Sequence, residues 1–330
     1  MPHCVYPKTE DKMAEYTKLS NAQIEEIIGL YGISDILSIL PMGHGISNTN
    51  YRVVTANESY LLKVSNDKNS DELIAEQKLL HIIRQWGFLF SILPLQLPDQ
   101  TFVYQHGEYY GAVYPFIEGS PPEINEDNLS EIGRAMAQLH LASEDKDLQG
   151  IRAHTEVGFN LLSIENYIVE ENPPADFKQA FERVYPDGVE HLLDLLLYEQ
   201  LPKGVIHADL YYDNTLFRDD HLVAVLDFEQ AGVGTYLFDI GVCISGSCLN
   251  SEGQIDIDLV NAFILGYQQF RELEELELKH LKDTIIIGLF SIARWRISRF
   301  VEKKIAEGKE DSYKELIKRA VEFNQSVKKV

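Results

Sequence analysis

Two short apolar runs, each ending in acidic and amide side chains, constrain this chain more than any other feature. VIHADLYYDN, residues 205–214, passes from Val205 and Ile206 into His207, Asp209 and Asn214, and VAVLDFEQ, residues 223–230, ends its apolar stretch at Asp227. The residues between, TLFRDDHLVAVL, have the length and alternation of a β-hairpin turning near Arg218–His221. A hairpin of that size returns Asp227 to the side of Asn214 and turns three separated positions into one polar corner. Asp209, Asn214 and Asp227 are hard oxygen donors, the kind magnesium takes while keeping waters and substrate phosphates in its shell. Asp209 lies far enough ahead of Asn214 to face a substrate hydroxyl. His207 can pin the loop through backbone hydrogen bonds without moving a proton.

The chain around this corner divides in two. LSNAQIEEIIGLYG reads as a helix, with Ser20 and Gln23 as a capping box, Ile24, Ile27, Ile28 and Tyr31 on one face, and Gly32 closing the end. NTNYRVVT, the turn ANES and YLLKV read as a hairpin. SDELIAEQKLLHIIRQWG is a helix starting at Ser70 or Asp71, and TFVYQ and EYYGAVYPF are further strands joined around His106–Gly107. The first 115 or so residues are therefore mostly antiparallel sheet with an embedded helix. YPFIEGSPPEINEDN, punctuated by Pro115, Gly119, Pro121 and Pro122, is a hinge, and a boundary is expected between 116 and 117. Beyond it the pattern is helical: LSEIGRAMAQLHLAS, a long stretch around 176–200, and the region from about 256 onward. The expected class is α+β, a small β lobe (1–116) and a larger helical lobe (117–330).

Charge narrows the partners. Lys and Arg number 29 against 52 Asp and Glu, a net charge of −23, which repels nucleic-acid phosphates and anionic lipid. The acidity also leans mildly toward amine substrates. Three cysteines, Cys4, Cys243 and Cys248, make neither a disulfide framework nor a zinc site and suit a reducing compartment. The first twenty residues contain KTEDK and lack a signal-peptide apolar core, and no stretch reaches the roughly 20 apolar residues of a membrane span. A soluble, cytoplasmic protein is expected.

HADLYYDN together with LDF resembles the His-x-Asp-(x)4-Asn and Asp motifs of the aminoglycoside phosphotransferase/choline kinase superfamily, small-molecule kinases with a protein-kinase-like fold. The resemblance extends from the loop at 43–50 to the helices near 300. It implies ATP and Mg2+ as cofactors, Asp209 as catalytic base, and Asn214 and Asp227 as magnesium ligands. Lys63, in an otherwise apolar strand, resembles the lysine that holds the α/β-phosphates, and Glu76, inside the next helix, resembles its ion-pair partner, in preference to Glu72. The loop GHGISNTN, around Gly45 and Ser47, would lay backbone N–H groups over phosphates, although Asn48 stands where a kinase loop has its third glycine. In the hinge, Pro115 would offer its C=O and Ile117 its N–H to adenine. Phe228 and Glu229 follow Asp227 in place of Phe-Gly, position 211 is Tyr where protein kinases carry Lys, and there is no Ala-Pro-Glu segment. These departures point to a small-molecule kinase.

Within the superfamily, GISNTNYRV, DFEQAGVGTYLFDIGVCISGSC and ARWRISRF resemble segments of homoserine-kinase-like members. The acceptor expected is thus a hydroxyl of a small metabolite, homoserine first, with aminoglycosides or choline as alternatives. A non-catalytic nucleotide-binding pseudokinase is a further alternative, disfavoured by the intact Lys63, Glu76, Asp209, Asn214 and Asp227. Homoserine would need a cation for its carboxylate, and Arg294, Arg296 and Arg299 are candidates. Position 212 is Tyr, where Arg is expected in homoserine kinases.

Overall fold

The computed structural model describes residues 18–42, 48–66, 68–154, 159–197 and 201–326. Helix α1 (Asn21–Leu30) starts at Ser20, whose hydroxyl accepts from the Gln23 N–H while Gln23 accepts from the Ser20 N–H. This is the cap written in the sequence, and it turns Ile24, Ile27 and Ile28 inward. Five strands follow, β1 (Ile36–Pro41), β2 (Asn48–Thr55), β3 (Ser59–Ser65), β4 (Tyr104–His106) and β5 (Tyr109–Pro115). They form one antiparallel sheet in the order β1-β2-β3-β5-β4. Helix α2 (Ser70–Gln85) is capped by Asn69, one residue before the start expected for it, in a reciprocal box with Glu72.

Alternation along β5 splits the small lobe between two cores. Val113 faces α1 with Leu62, Val64 and Tyr51, whereas Ala112 and Tyr114 face Leu79, Leu80 and Ile83 of α2 and join the core of the large lobe. The two lobes thus share packed apolar surface at the point where the cleft opens.

The large lobe begins with α3 (Glu126–Ala142), α4 (Leu161–Glu170), α5 (Ala175–Val184) and α6 (Glu190–Leu197). The helical stretch expected around 176–200 is two helices, α5 and α6. Pro186 cannot extend the first, and Gly188, at φ +82°, turns the chain between them. Four short strands come next, β6 (Lys203–Ile206), β7 (Thr215–Arg218), β8 (His221–Val225) and β9 (Gly232–Thr235). Helices α7 (Tyr236–Ser247), α8 (Ile257–Gln268), α9 (Glu275–Arg296) and α10 (Lys314–Ser326) complete the lobe, α9 running on into a π-helical turn over Ile297–Glu302. Helices α3 and α8 meet backbone to backbone, since a Cβ on Gly133 would lie 2.2 Å from the Phe263 carbonyl oxygen. Among the described residues no helix is long and apolar enough to cross a membrane.

Candidate active site

The hairpin read from the sequence is present and does the work expected of it. Strands β7 and β8 pair Thr215 with Val225 and Arg218 with His221. The turn residues Asp219 and Asp220 both take left-handed conformations (φ 53° and 61°), as a tight two-residue hairpin turn requires. The ladder ends with the Leu226 N–H donating to the Asn214 carbonyl at 2.8 Å, which seats Asp227 next to Asn214. Asn214 Nδ2 donates in turn to the Asp209 carbonyl at 2.8 Å and lies 3.4 Å from Asp209 Oδ2. Asp209, Asn214 and Asp227 line one cleft of about 550 Å3 between the lobes.

His207 is buried and pins this corner. Its Nε2–H donates to the Leu226 carbonyl at 2.8 Å, and Nδ1 accepts from the Asp209 N–H at 3.3 Å. A carbonyl can only accept, so Nε2 carries the proton and the ring is neutral, in keeping with a pKa lowered by burial. Two non-glycine residues beside the site hold left-handed backbone, Ala208 (φ 62°) and Asp227 (φ 60°). Such conformations persist only where surrounding bonds enforce them. For Ala208 the enforcing group is Asp239 on α7, fully buried, which accepts from the His207 N–H at 2.9 Å and the Ala208 N–H at 2.7 Å.

Lys63 reaches the same corner from β3, opposite Ala112 of β5. Its ammonium lies 3.3 Å from Asp227 Oδ1 and 3.0 Å from Glu229 Oε1. The expected pairing with Glu76 is corrected here: Glu76 pairs with Lys68 at 3.1 Å. Glu76 lies close enough to raise the Lys63 pKa, yet the Phe228–Gln230 turn carries Glu229 nearer. Lys68 also approaches Glu229, at 3.7 Å, and Asn48 donates to Glu229 from β2.

Protonation follows from this arrangement. Burial, then the like charges of Asp227 and Asp213, push the Asp209 carboxyl well above its ordinary range. Burial also raises Asp227, against the pull of Lys63. Glu229 goes the other way, because Lys63, Lys68 and the Asn48 amide together outweigh its burial. Lys63 is held protonated because Asp227, Glu229 and Glu76 outweigh its own desolvation.

The donor set suits a divalent, oxygen-seeking cation. Asn214 spends its N–H on Asp209, which leaves its side-chain oxygen as a ligand atom, and the Asp227 carboxyl lines the same cleft beside it. Among the described residues no group of three or more His, Cys, Asp or Glu is set to hold a metal without other donors. A cation here would need the Asn214 amide and oxygens brought by a nucleotide, the coordination magnesium prefers.

The remaining expected site residues divide. Gly45 and Ser47 lie outside the described residues. Pro115 is exposed at the end of β5, opposite Tyr60, and neither it nor Ile117 lines the cleft. The ladder continues past Pro115, with the Phe116 N–H donating to the Ser59 carbonyl. The wall is instead Leu61, Leu80, Ile92 and Tyr114. Of the three candidate arginines only Arg296 lines the cleft. Arg294 stacks on Tyr167 (3.7 Å) and pairs with Glu302, and Arg299 lies over Trp295.

The model of the phosphotransferase enzyme family matches residues 38–275, most of the chain. The chain belongs to that family. It is a small-molecule kinase. A homoserine kinase from Methylobacterium radiotolerans is 30% identical over 309 residues, covering 88% of each chain. In fold, the phosphotransferase is similar to the amicoumacin kinase hAmiN, solved with AMP-PNP, Ca2+ and Ami (TM-score 0.68, 16% identity, 92% of this chain and 98% of that one). It is similar also to a microcompartment-associated aminopropanol kinase (TM-score 0.64, 18% identity, 93% and 94%).

Three side chains that hold this corner of the phosphotransferase together escape a reading of the sequence. Glu229 was visible as the residue breaking a Phe-Gly pattern, and that break was its signal. Lys68 sits in the polar turn after β3, where a lysine is unremarkable. Asp239 lies in the apolar run TYLFDIGVCI, and a lone carboxylate in such a run was the available cue.

Proposed function

We propose that this phosphotransferase moves the γ-phosphoryl group of ATP, with Mg2+, to the side-chain hydroxyl of homoserine. The observation that carries the reading is the convergence of Asp209, Asn214 and Asp227 on one cleft wall with Lys63 reaching them from the other lobe. Lobe 1–116 would bind the nucleotide, its base against the apolar wall of Leu61, Leu80, Ile92 and Tyr114, with the Pro115 C=O and Ile117 N–H offered to adenine and the backbone N–H groups around Gly45 and Ser47 to the phosphates. Lobe 117–330 would bind the acceptor.

Asp209 orients the hydroxyl and takes its proton, a role suited to a carboxylate whose proton affinity is raised by burial and like charge. Lys63, held by Glu229, steadies the α/β-phosphates. Asn214 and Asp227 would hold the metal, which when bound supplies positive charge against the transferring phosphates. Positioning and electrostatics then account for most of the acceleration.

Homoserine is favoured by the relatives' chemistry and by Arg296. This guanidinium donates from Nη1 to the Ser312 carbonyl and to Glu315 (2.6 Å each), so its orientation is fixed at the cleft edge where a carboxylate would dock. The buried free thiols Cys243 and Cys248 suit a reducing cytoplasm. The test is a panel of acceptors with ATP and Mg2+: homoserine, choline, an aminoglycoside and an amino alcohol lacking the carboxylate. Phosphohomoserine as the dominant product supports the reading, and selective turnover of any other acceptor replaces it.

A further inference from the structure

A buried chain of polar side chains runs from the start of α9 to the loop that carries Asp209. Glu277, fully buried, receives both Nη1 and Nη2 of Arg271 at 3.1 and 2.9 Å, and also accepts from the Glu274 N–H at 3.0 Å. Arg271 Nη1 lies 3.2 Å from the Tyr267 hydroxyl, which lies 2.7 Å from His140 Nδ1. His140 Nε2 is 3.0 Å from Asp239 Oδ2, and the ring stacks at 4.3 Å on Tyr236. Asp239 closes the chain on the His207 and Ala208 N–H groups.

The direction of every bond is fixed. Arginine has no acceptor, so it donates to the Tyr267 oxygen. Asp239 is held as carboxylate by its donors, so it only accepts, and His140 Nε2 must carry the hydrogen. Burial keeps the His140 ring neutral, so Nδ1 is an acceptor and Tyr267 donates to it. Aligned donors of this kind polarise one another. Their common end is the carboxylate that holds Ala208 in its left-handed backbone, one residue before Asp209.

We propose that Tyr267 and His140 are positioning residues for the transfer reaction: through Asp239 they fix the 207–209 backbone and so the aim of the Asp209 carboxylate. Neither lines the cleft or touches the reacting atoms. The inference rests on the proposed role of Asp209, and its test carries a readout that needs no activity.

The test uses Tyr267→Phe, which keeps the buried ring and removes the hydroxyl that donates to His140 and accepts from Arg271, whose Nη1 keeps Glu277, and Val260→Ala, a core change on α8 away from the chain, as a stability-matched control. In Tyr267→Phe, kcat should fall about tenfold with the KM for ATP within about twofold. Backbone amide exchange at His207 and Ala208 should accelerate about tenfold, while Val260→Ala lowers the melting temperature and leaves kcat and those two amides unchanged. His140→Gln combined with Tyr267→Phe should cost no more than His140→Gln alone, because the two act as one unit. Should His140→Gln fail to fold, Tyr267→Phe decides by itself. Wild-type exchange at the two amides in Tyr267→Phe, or a kcat loss equal to that of Val260→Ala, overturns the inference. Faster exchange with no phosphoryl transfer by the wild type to any acceptor would leave the positioning chain standing and discard the proposed reaction.

Discussion

Lys63 Nζ lies 3.0 Å from Glu229 Oε1 and 3.3 Å from Asp227 Oδ1, so the lysine of the small lobe is tied to two carboxylates of the large lobe. Glu76 meanwhile is held by Lys68 at 3.1 Å. The tie crosses the cleft, and it makes Glu229 the side chain that sets where the ammonium sits. Glu229→Gln should therefore raise the KM for ATP about tenfold, because it takes the nearer of two carboxylates from a buried lysine and leaves it only Asp227 at 3.3 Å. Glu76→Gln should raise it less, since Lys68 keeps Glu229 within 3.7 Å. Steady-state kinetics on the two variants, side by side, rank the partners, and a larger effect from Glu76 would reverse the assignment.

Asp209→Ala should abolish turnover and leave nucleotide affinity close to that of the wild type. Asp227→Ala should weaken the metal-dependent part of nucleotide binding, since it removes a carboxylate from the floor shared with Asn214. Calorimetric titration of ATP with and without Mg2+ separates the two outcomes, and undiminished turnover in Asp209→Ala would remove it from the reaction.

Arg296→Met should raise the KM for homoserine by roughly ten- to a hundredfold, the range of one bidentate, charge-assisted contact. An amino alcohol with the same hydroxyl but no carboxylate should be turned over as before. Equal losses on both acceptors would mean that Arg296 supports the α9–α10 junction and does not read the substrate.

Gly133→Ala should cost about 2 kcal/mol or more, measured by denaturant unfolding, because the added methyl meets two backbone groups that cannot step aside. These are the Phe263 carbonyl oxygen at 2.2 Å and the Tyr267 nitrogen at 2.9 Å. A neutral outcome would mean that α3 and α8 have room the packing denies them.

Acid should destabilise the fold through buried histidines. Burial holds His140 and His207 below their ordinary pKa and His154 down at about 4. In the unfolded chain each takes up a proton near pH 6.5, so their stabilisation is complete above that value and is lost as pH falls toward the folded-state pKa. Asp209 and Asp227, raised in the fold, work in the opposite sense and blunt the slope. His154→Leu should shrink the stability lost between pH 7.5 and 5.5 by about 1 kcal/mol. An unchanged loss in that variant would show that His154 is charged in the folded protein.

Local causes are legible in this sequence and distant ones are not. The Ser20–Gln23 cap, the β2–β3 hairpin and the Asp219–Asp220 turn were legible because each is closed by bonds between near neighbours in the chain. The corner of Asp209, Asn214 and Asp227 follows from that turn, since hairpin length alone returns Asp227 to Asn214. The helical stretch around 176–200 is legible as a whole, and Pro186 and Gly188 mark the break between α5 and α6 within it.

What the chain determines by itself is therefore the corner, the lobes' composition and the residue types that chemistry requires there. Tertiary structure alone decided that Lys63 meets Glu229, that Lys68 takes Glu76, that Arg296 and neither of its neighbours lines the cleft, and that Asp239 holds the loop. Each of these is a choice among similar side chains. Charges of one sign are interchangeable in a string of letters, and only the distances set by packing, a few ångströms either way, select one carboxylate over another.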